Sequence, residues 1–459
     1  MSRILGRQSG TLDMTQGAIW SVLVTFTVPL LLGNLFQLLY NTVDSIVVGN
    51  FVGRTALAAV SATTQICNTL VKFFTGTSIG AGAVISRRFG AKDRVQLHQA
   101  IHTTMALTAW CCVLLTALGL LCANWMLERM STPAEVFAEA SLYLRIYFAG
   151  ISGLLIYNMG GSILRAIGDT RRPLFFLLAC SGMNVALDLV FVLCFHWGIA
   201  GVAAATVLSQ FVSAGLVLWC LTFSVQACPF SWRQMRIHPP TARQILKLGL
   251  PVGLQQAVIS FSNVFIQAYI NAFDTACIAG WGCYIKLEQY MMLPIQSMGQ
   301  AVTTFTGQNL GGKRLDRAKQ GVWIALLLTL GISAVTAAVL CGFAPALSGL
   351  FTPDQETIRY SALFIRMCTP VAILCCFNQI FSGALRGAGK SQIPMAVTLC
   401  THVLFRQIYL LFVSRLLPGN VYAIGSGYPA GWALCAAAIS VYYRFSKWDV
   451  GFAQNEAPK

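Results

Sequence analysis

Predominantly apolar stretches of about 20 residues or more recur along the whole chain, separated by short basic, glycine or proline breaks. They fall near residues 17–48, 55–86, 96–124, 137–162, 173–195, 199–225, 243–270, 277–308, 318–345, 357–383, 393–415 and 424–444. A helix of about 20 apolar residues crosses the hydrocarbon of a bilayer. The expectation is an all-α membrane protein with twelve transmembrane helices. Composition points the same way: 56% of the 459 residues are hydrophobic and 10% are charged, against about 25% charged in soluble domains. The net charge of +16 does not indicate nucleic acid, because the basic residues sit in short clusters between apolar runs and not on one domain face. The 16 cysteines include no CxxC pair, so neither a disulfide framework nor a metal cluster is expected. The polar N-terminus has no apolar core before a cleavage site, and no signal peptide is expected.

An even number of spans places both termini on one side. The loops after spans 2, 4, 6, 8 and 10, together with the termini, carry 22 of the 31 basic residues. The odd loops hold acids such as Glu135, Asp354 and Glu356. By the positive-inside rule both termini are cytoplasmic.

The two halves repeat. LRAIGDTRRP (164–173) matches LRGAGKSQIP (385–394), and FGAKDR (89–94) matches LGGKRL (310–315), both at an offset of 221. Arg145 matches Arg366 at 221, and Pro29 matches Pro251 at 222. Six spans per half make the repeat parallel, an arrangement common in secondary transporters. The expected division is residues 1–225 as an N-lobe with helices 1–6, 226–242 as a cytoplasmic linker, and 243–459 as a C-lobe with helices 7–12 and a short cytoplasmic tail.

Three acids lie inside apolar runs: Asp44, Asp188 and Glu288. An intramembrane acid is costly, so it marks either a functional site or a structural ion pair, here with Lys72, Lys286 or Arg406. Counted at 1.5 Å per residue from the outer ends of their spans, Asp44, Asp188 and Thr206 lie about 8–12 Å deep. Asn184 shares the face of Asp188 one turn earlier. Two carboxylates, an amide and a hydroxyl make an oxygen-rich set suited to Na⁺ or to a proton. At offset 221 the second half has Phe405, Arg406 and Tyr409 opposite Asn184, Val185 and Asp188, so ion coupling is expected only in the first half. Span 1 also carries Asn34, Gln37, Tyr40 and Asn41 along one polar stripe, and Pro29 near mid-span as a hinge or static kink.

The runs NTVDSIVVGNFVGRTALAAV (41–60), LRAIGDTRRP, MNVALD (183–188), GVAAATVLSQ (201–210) and TFTGQNLGGKR (304–314) together resemble the bacterial multidrug and toxic-compound extrusion family over about residues 15–445. The resemblance implies a MATE-type fold of two pseudo-symmetric six-helix lobes, V-shaped around a central cleft. It implies that Asp44, Asn184, Asp188 and Thr206 bind the coupling cation, Na⁺ included, and that Pro29 is the first-helix proline. Drug contacts then fall on Gln37, Tyr40, Asn41, Asn158 and Ser181, with Glu288 in the C-lobe. Spans 7 and 10 carry amides where some members carry acids, so a C-lobe cation site is not expected.

The expected activity is antiport. Na⁺ or H⁺ enters while an amphipathic, often cationic, solute leaves across the plasma membrane by alternating access. Tyr40, Tyr157, Tyr284, Met291 and Met292 are candidates to cover its apolar body, or simply to pack helices. No cofactor is expected, and the protein is expected to be monomeric. The rival reading is a lipid-linked oligosaccharide flippase of the same wider superfamily, which would use Lys72, Lys286 and Arg406 against pyrophosphate. An enzyme is disfavoured, because the five histidines are scattered and no HExxH occurs.

Overall fold

The computed structural model describes residues 11–52, 54–130, 132–225, 228–417, 419–446 and 448, without the side chains of residues 40, 41, 43–47, 49, 50, 54, 55, 57, 61 and 65. Among the described residues every regular element is helical. In chain order the α-helices are α1 (Ile19–Val47), α2 (Arg54–Gly90), α3 (Arg94–Arg129), α4 (Ala134–Ala149), α5 (Ile151–Ala166), α6 (Arg171–Leu189), α7 (Gly198–Trp219), α8 (Pro239–Ile270) and α9 (Thr275–Gly311). There follow α10 (Leu315–Gly342), α11 (Ala344–Gly349), α12 (Gln355–Ala372), α13 (Cys375–Gly387), α14 (Gln392–Leu399), α15 (Arg406–Leu416), α16 (Val421–Gly425) and α17 (Gly427–Phe445). Turns of π-helix extend α1, α6 and α7 and join α14 to α15.

Each of the twelve apolar stretches is helix. Among the described residues nine helices are long and apolar enough to cross a membrane, and eleven spans result when α4 with α5 and α12 with α13 are each taken as one bent span. The bends are 46° and 41°. Gly150 makes room for the first, since a Cβ there would stand 2.2 Å from Val207 Cγ1. The remaining stretch, the eighth, is α9, an unbroken helix of 37 residues. Its Lys286, Glu288, Gln289, Gln296 and Gln300 dilute the apolar run. Bulky apolar side chains on the outer faces, Trp110, Leu121 and Phe223 among them, are exposed as a lipid environment allows. Several loop acids prove to be helix N-caps: Asp93, Asp274 and Asp354 accept from the backbone N–H groups of Gln96, Cys277 and Thr357.

The chain forms two compact units. One comprises residues up to Asp13 and Val28–Gly249; the other comprises Met14–Thr27 and everything from Leu250 onward. The start of α1 thus belongs to the second unit, and the start of α8 to the first. In the second unit Met14 N donates to Gln308 Oε1 at 3.0 Å, and Asn309 Nδ2 donates to Met14 O at 3.2 Å. Arg314 Nη1 reaches Thr15 O at 2.7 Å and Arg317 Nη2 reaches Gln16 O at 2.8 Å. In the first unit Ser231 N donates to His102 Nε2 at 3.1 Å, and His238 N donates to Thr103 Oγ1 at 3.2 Å, docking the segment before α8 onto α3.

The internal repeat is visible in the backbone. Lys92 and Lys313 both have φ 56°, a left-handed conformation uncommon for side-chain-bearing residues. Their N–H groups close the same turn, onto Phe89 O at 3.0 Å and Leu310 O at 3.2 Å. Gly168 and Gly389 stand 221 residues apart at φ 94° and 83°, the conformation that glycine adopts freely after a helix.

Candidate functional site

α6 carries Asn184 and Asp188 one turn apart, and both are buried. Asn184 Nδ2 donates to Asp188 Oδ2 at 3.2 Å, and Asn184 Oδ1 accepts from Thr206 N at 3.2 Å. Thr206 is buried on α7, and its hydroxyl donates to Val202 O at 3.1 Å. The structure therefore brings three of the four expected cation residues together. The Thr206 hydroxyl spends its hydrogen on Val202 O, so its oxygen lone pairs stay available to a cation, beside the Asp188 carboxylate and the Asn184 carbonyl.

The side chains of Tyr40, Asn41 and Asp44 lie outside the described residues; the α1 backbone that carries them does not. Gly33 of α1 lies against α6, where a Cβ would stand 3.7 Å from Leu174 and 3.8 Å from Leu177. α1 and α6 occupy the first and fifth spans and run the same way. Asp44 is eleven residues past Gly33, and Asp188 is eleven past Leu177 and fourteen past Leu174. At 1.5 Å per residue the two positions fall within about one helical turn of the same height.

The expected substrate residues are more dispersed. Gln37 is exposed on α1, and Ser181 is half-buried on α6 three residues before Asn184. Asn158 on α5 gives its Nδ2 hydrogen to Leu154 O of its own helix at 2.9 Å. Tyr157 donates to Pro173 O at 3.4 Å and Tyr284 is fully buried, so both pack helices in this conformation. Pro29 lies inside α1, two residues beyond the point where the chain passes from one unit to the other.

In the second unit Glu288 has no ion pair within 4 Å among the described residues. Lys286 is exposed, and its Nζ lies 5.4 Å from the Phe351 ring centroid. Arg406 is 2% exposed, the largest fully buried side chain among the described residues. Its Nη2 donates to Ser262 Oγ and Asn263 Oδ1, each at 3.0 Å, and its guanidinium carbon lies 4.8 Å from the centre of the Tyr428 ring. Tyr428 in turn donates to Asn263 Oδ1 at 3.3 Å.

The constant offset of 221 fails here and must be corrected. A π-turn at Cys400–Phe405 joins α14 to α15, and such a turn inserts one residue into a helix. Before it, Pro173 and Pro394 are both buried at offset 221. After it, the buried positions of α15 are Arg406 and Leu410, which match Asn184 and Asp188 at 222. The last helix keeps that register: Thr206 with Tyr428, Ser213 with Cys435 and Val217 with Ile439 are buried in pairs. Arg406, not Phe405, is the counterpart of Asn184. Sequence reading missed this, although Pro29 and Pro251 already stood 222 apart.

Comparison with known proteins agrees with this architecture. The MatE family pattern matches residues 29–190 and again 251–409, beginning each time at the repeated proline. The probable multidrug resistance protein YpnP of Bacillus subtilis (strain 168) is 28% identical over 438 residues, covering 95% of this chain and 97% of its own. The probable multidrug resistance protein YoeA of the same organism is 27% identical over 444 residues, covering 95% and 96%. The fold is also similar to a solved outward-facing multidrug resistance MATE family transporter of the MOP superfamily: TM-score 0.89, 22% identity, 98% of this chain and 100% of that one. With both halves matched, the chain belongs to the MatE family, the multidrug and toxic-compound extrusion transporters.

Proposed function

We propose that this protein is a cation-coupled antiporter of the cell membrane, with both termini cytoplasmic, that exports amphipathic and often cationic compounds. Residues 1–225 act as the N-lobe and 243–459 as the C-lobe, joined by 226–242. The observation that carries the reading is the buried convergence of Asn184, Asp188 and the Thr206 backbone on helices aligned with the one bearing Asp44. A carboxylate in a membrane interior is retained where it binds an ion or a cationic ligand. Na⁺ or H⁺ taking up the charge of Asp44 and Asp188 removes the attraction that held a cationic solute, and this competition couples the two fluxes. Gln37, Tyr40, Asn41, Asn158, Ser181 and Glu288 are assigned to the solute, and Pro29 to the bending of α1.

The test uses vesicles reconstituted with the protein and a fluorescent lipophilic cation. A pH gradient and a Na⁺ gradient are imposed separately on wild type, Asp44→Asn and Asp188→Asn. One gradient is expected to drive export, and each substitution to abolish that drive. Unchanged export by both variants would refute the assignment. The flippase alternative would draw on Lys72, Lys286 and Arg406; of these, Arg406 is committed to Ser262, Asn263 and Tyr428, which favours the antiporter reading.

A further inference from the structure

We infer that the C-lobe carries the counterpart of the N-lobe cation site with a cation built in, the guanidinium of Arg406. The inference rests on the reading of the Asn184–Asp188 cluster as a cation site. Its own evidence is the register of the second unit.

At offset 222 each member of the N-lobe set has a defined counterpart. Asp44 corresponds to Ile266, and the neighbouring Asn41, outside that set, to Asn263. Asn184 corresponds to Arg406, Asp188 to Leu410 and Thr206 to Tyr428. The counterparts Ile266, Arg406, Leu410 and Tyr428 are all buried, so the second set occupies the interior of its unit as the first does. The chemistry is inverted: both carboxylate positions are aliphatic, and the amide position is a guanidinium. That guanidinium is coordinated as a bound cation would be, by a hydroxyl and an amide oxygen at 3.0 Å and by an aromatic face at 4.8 Å. Gln407 Nε2 donates to Ser262 O and Oγ at 3.2 and 3.0 Å, fixing one of these ligands.

A planar cation on a chain tether cannot exchange with the medium. The C-lobe position is permanently filled, and exchange of the coupling ion is confined to the N-lobe. The position also recognises a particular shape, a planar cation with fixed donors, which differs from the point charge of an ammonium or an alkali ion. Removal of the side chain should leave a vacancy with the chemistry of a guanidinium site.

The experiment is chemical rescue, read as the unfolding temperature of the purified full-length protein in detergent. This readout does not involve transport, so its failure is separable from failure of the antiport reading. Arg406→Ala is expected to unfold several degrees below wild type. Guanidinium chloride up to about 20 mM, far below its denaturing range, is expected to raise the variant's midpoint along a saturating curve and to leave wild type unmoved. Urea, the uncharged isostere, and NaCl at equal concentration are expected to do neither. Equal recovery with urea or NaCl, or no recovery with guanidinium, overturns the inference. Should Arg406→Ala fail to accumulate, Arg406→Lys and Arg406→Met decide: the lysine variant is expected to keep a midpoint well above the methionine variant. A methionine variant as stable as wild type overturns the inference.

Discussion

The closest backbone approach between α2 and α8 offers a quantitative test of how the start of α8 is held in the first unit. A Cβ added at Gly80 would stand 2.3 Å from Gly249 Cα, 2.4 Å from Gly249 N and 2.7 Å from the carbonyl carbon of Leu248. All three atoms are backbone, so no rotamer change relieves the clash. Ordinary contact begins near 3.4 Å, and Gly80→Ala therefore forces the helices apart by about 1 Å. Overpacking of this kind costs about 1–3 kcal/mol. Alanine in a helix interior returns up to about 1 kcal/mol relative to glycine. Because only backbone atoms oppose the added Cβ, the cost lies at about 2–3 kcal/mol, the upper part of that range, and the net loss is about 1–2 kcal/mol, or a fall in unfolding temperature of roughly 2–8 °C for a unit of this size. Gly282→Ala and Gly331→Ala are the controls, since a Cβ at either position meets nothing within 4 Å. Both should leave the midpoint unchanged or raise it. The assay is thermal unfolding of the detergent-solubilised protein, followed by tryptophan fluorescence. A Gly80→Ala protein as stable as wild type would refute the argument from close approach.

Thr206→Val keeps the side-chain shape and removes the hydroxyl oxygen; gradient-driven export in vesicles should fall while the unfolding temperature stays within about 1–2 °C of wild type. His102 Nδ1 faces His98 O at 2.9 Å and Nε2 accepts from Ser231 N, so the docked ring is neutral with its hydrogen on Nδ1. Acid turns that acceptor into a donor, so protection of the Ser231 amide from hydrogen exchange should fall once the ring is protonated in acid; His102→Gln should flatten the response. The Asp354 carboxyl is held below the usual carboxylate range by hydrogen bonds from the Thr357 hydroxyl and backbone N–H. Its capping is therefore complete at neutral pH and lost as pH falls through that lowered value, and hydrogen exchange at the start of α12 should rise in acid for wild type but not for Asp354→Ala.

Much of the scaffold can be read from residues alone, because a bilayer leaves the backbone few solutions. Twelve apolar stretches become helix, and the paired motifs around Lys92 and Lys313 or Gly168 and Gly389 adopt the same turns. Span 8 is the weakest hydropathy signal, since polar residues thread its 37-residue helix. Among the site residues, Asn184 and Asp188 were legible from helical spacing, and Thr206 from depth counting. The environment of Arg406 was not. A single-residue π-turn changes no composition and leaves no apolar break, yet it rotates everything after it by about 100°, one residue's share of a helical turn. Only burial on both sides of Cys400–Phe405 reveals the shift. The N-caps at Asp93, Asp274 and Asp354 are not legible in the sequence, because sequence alone does not tell a solvated acid from one that starts a helix.

The crossing of the chain between units has a consequence for how such a protein could have arisen. Thr27 closes a segment that belongs with the second unit, and Gly249 closes one that belongs with the first. Neither half of the chain therefore contains all of its own folded unit. A half-length polypeptide would present an empty place for the start of its first helix and would carry that same segment unhoused. Two identical copies would cure both defects by trading ends, as in a domain-swapped dimer. Duplication and fusion of such a half would then make the trade permanent, with a repeated proline two residues beyond each point of exchange.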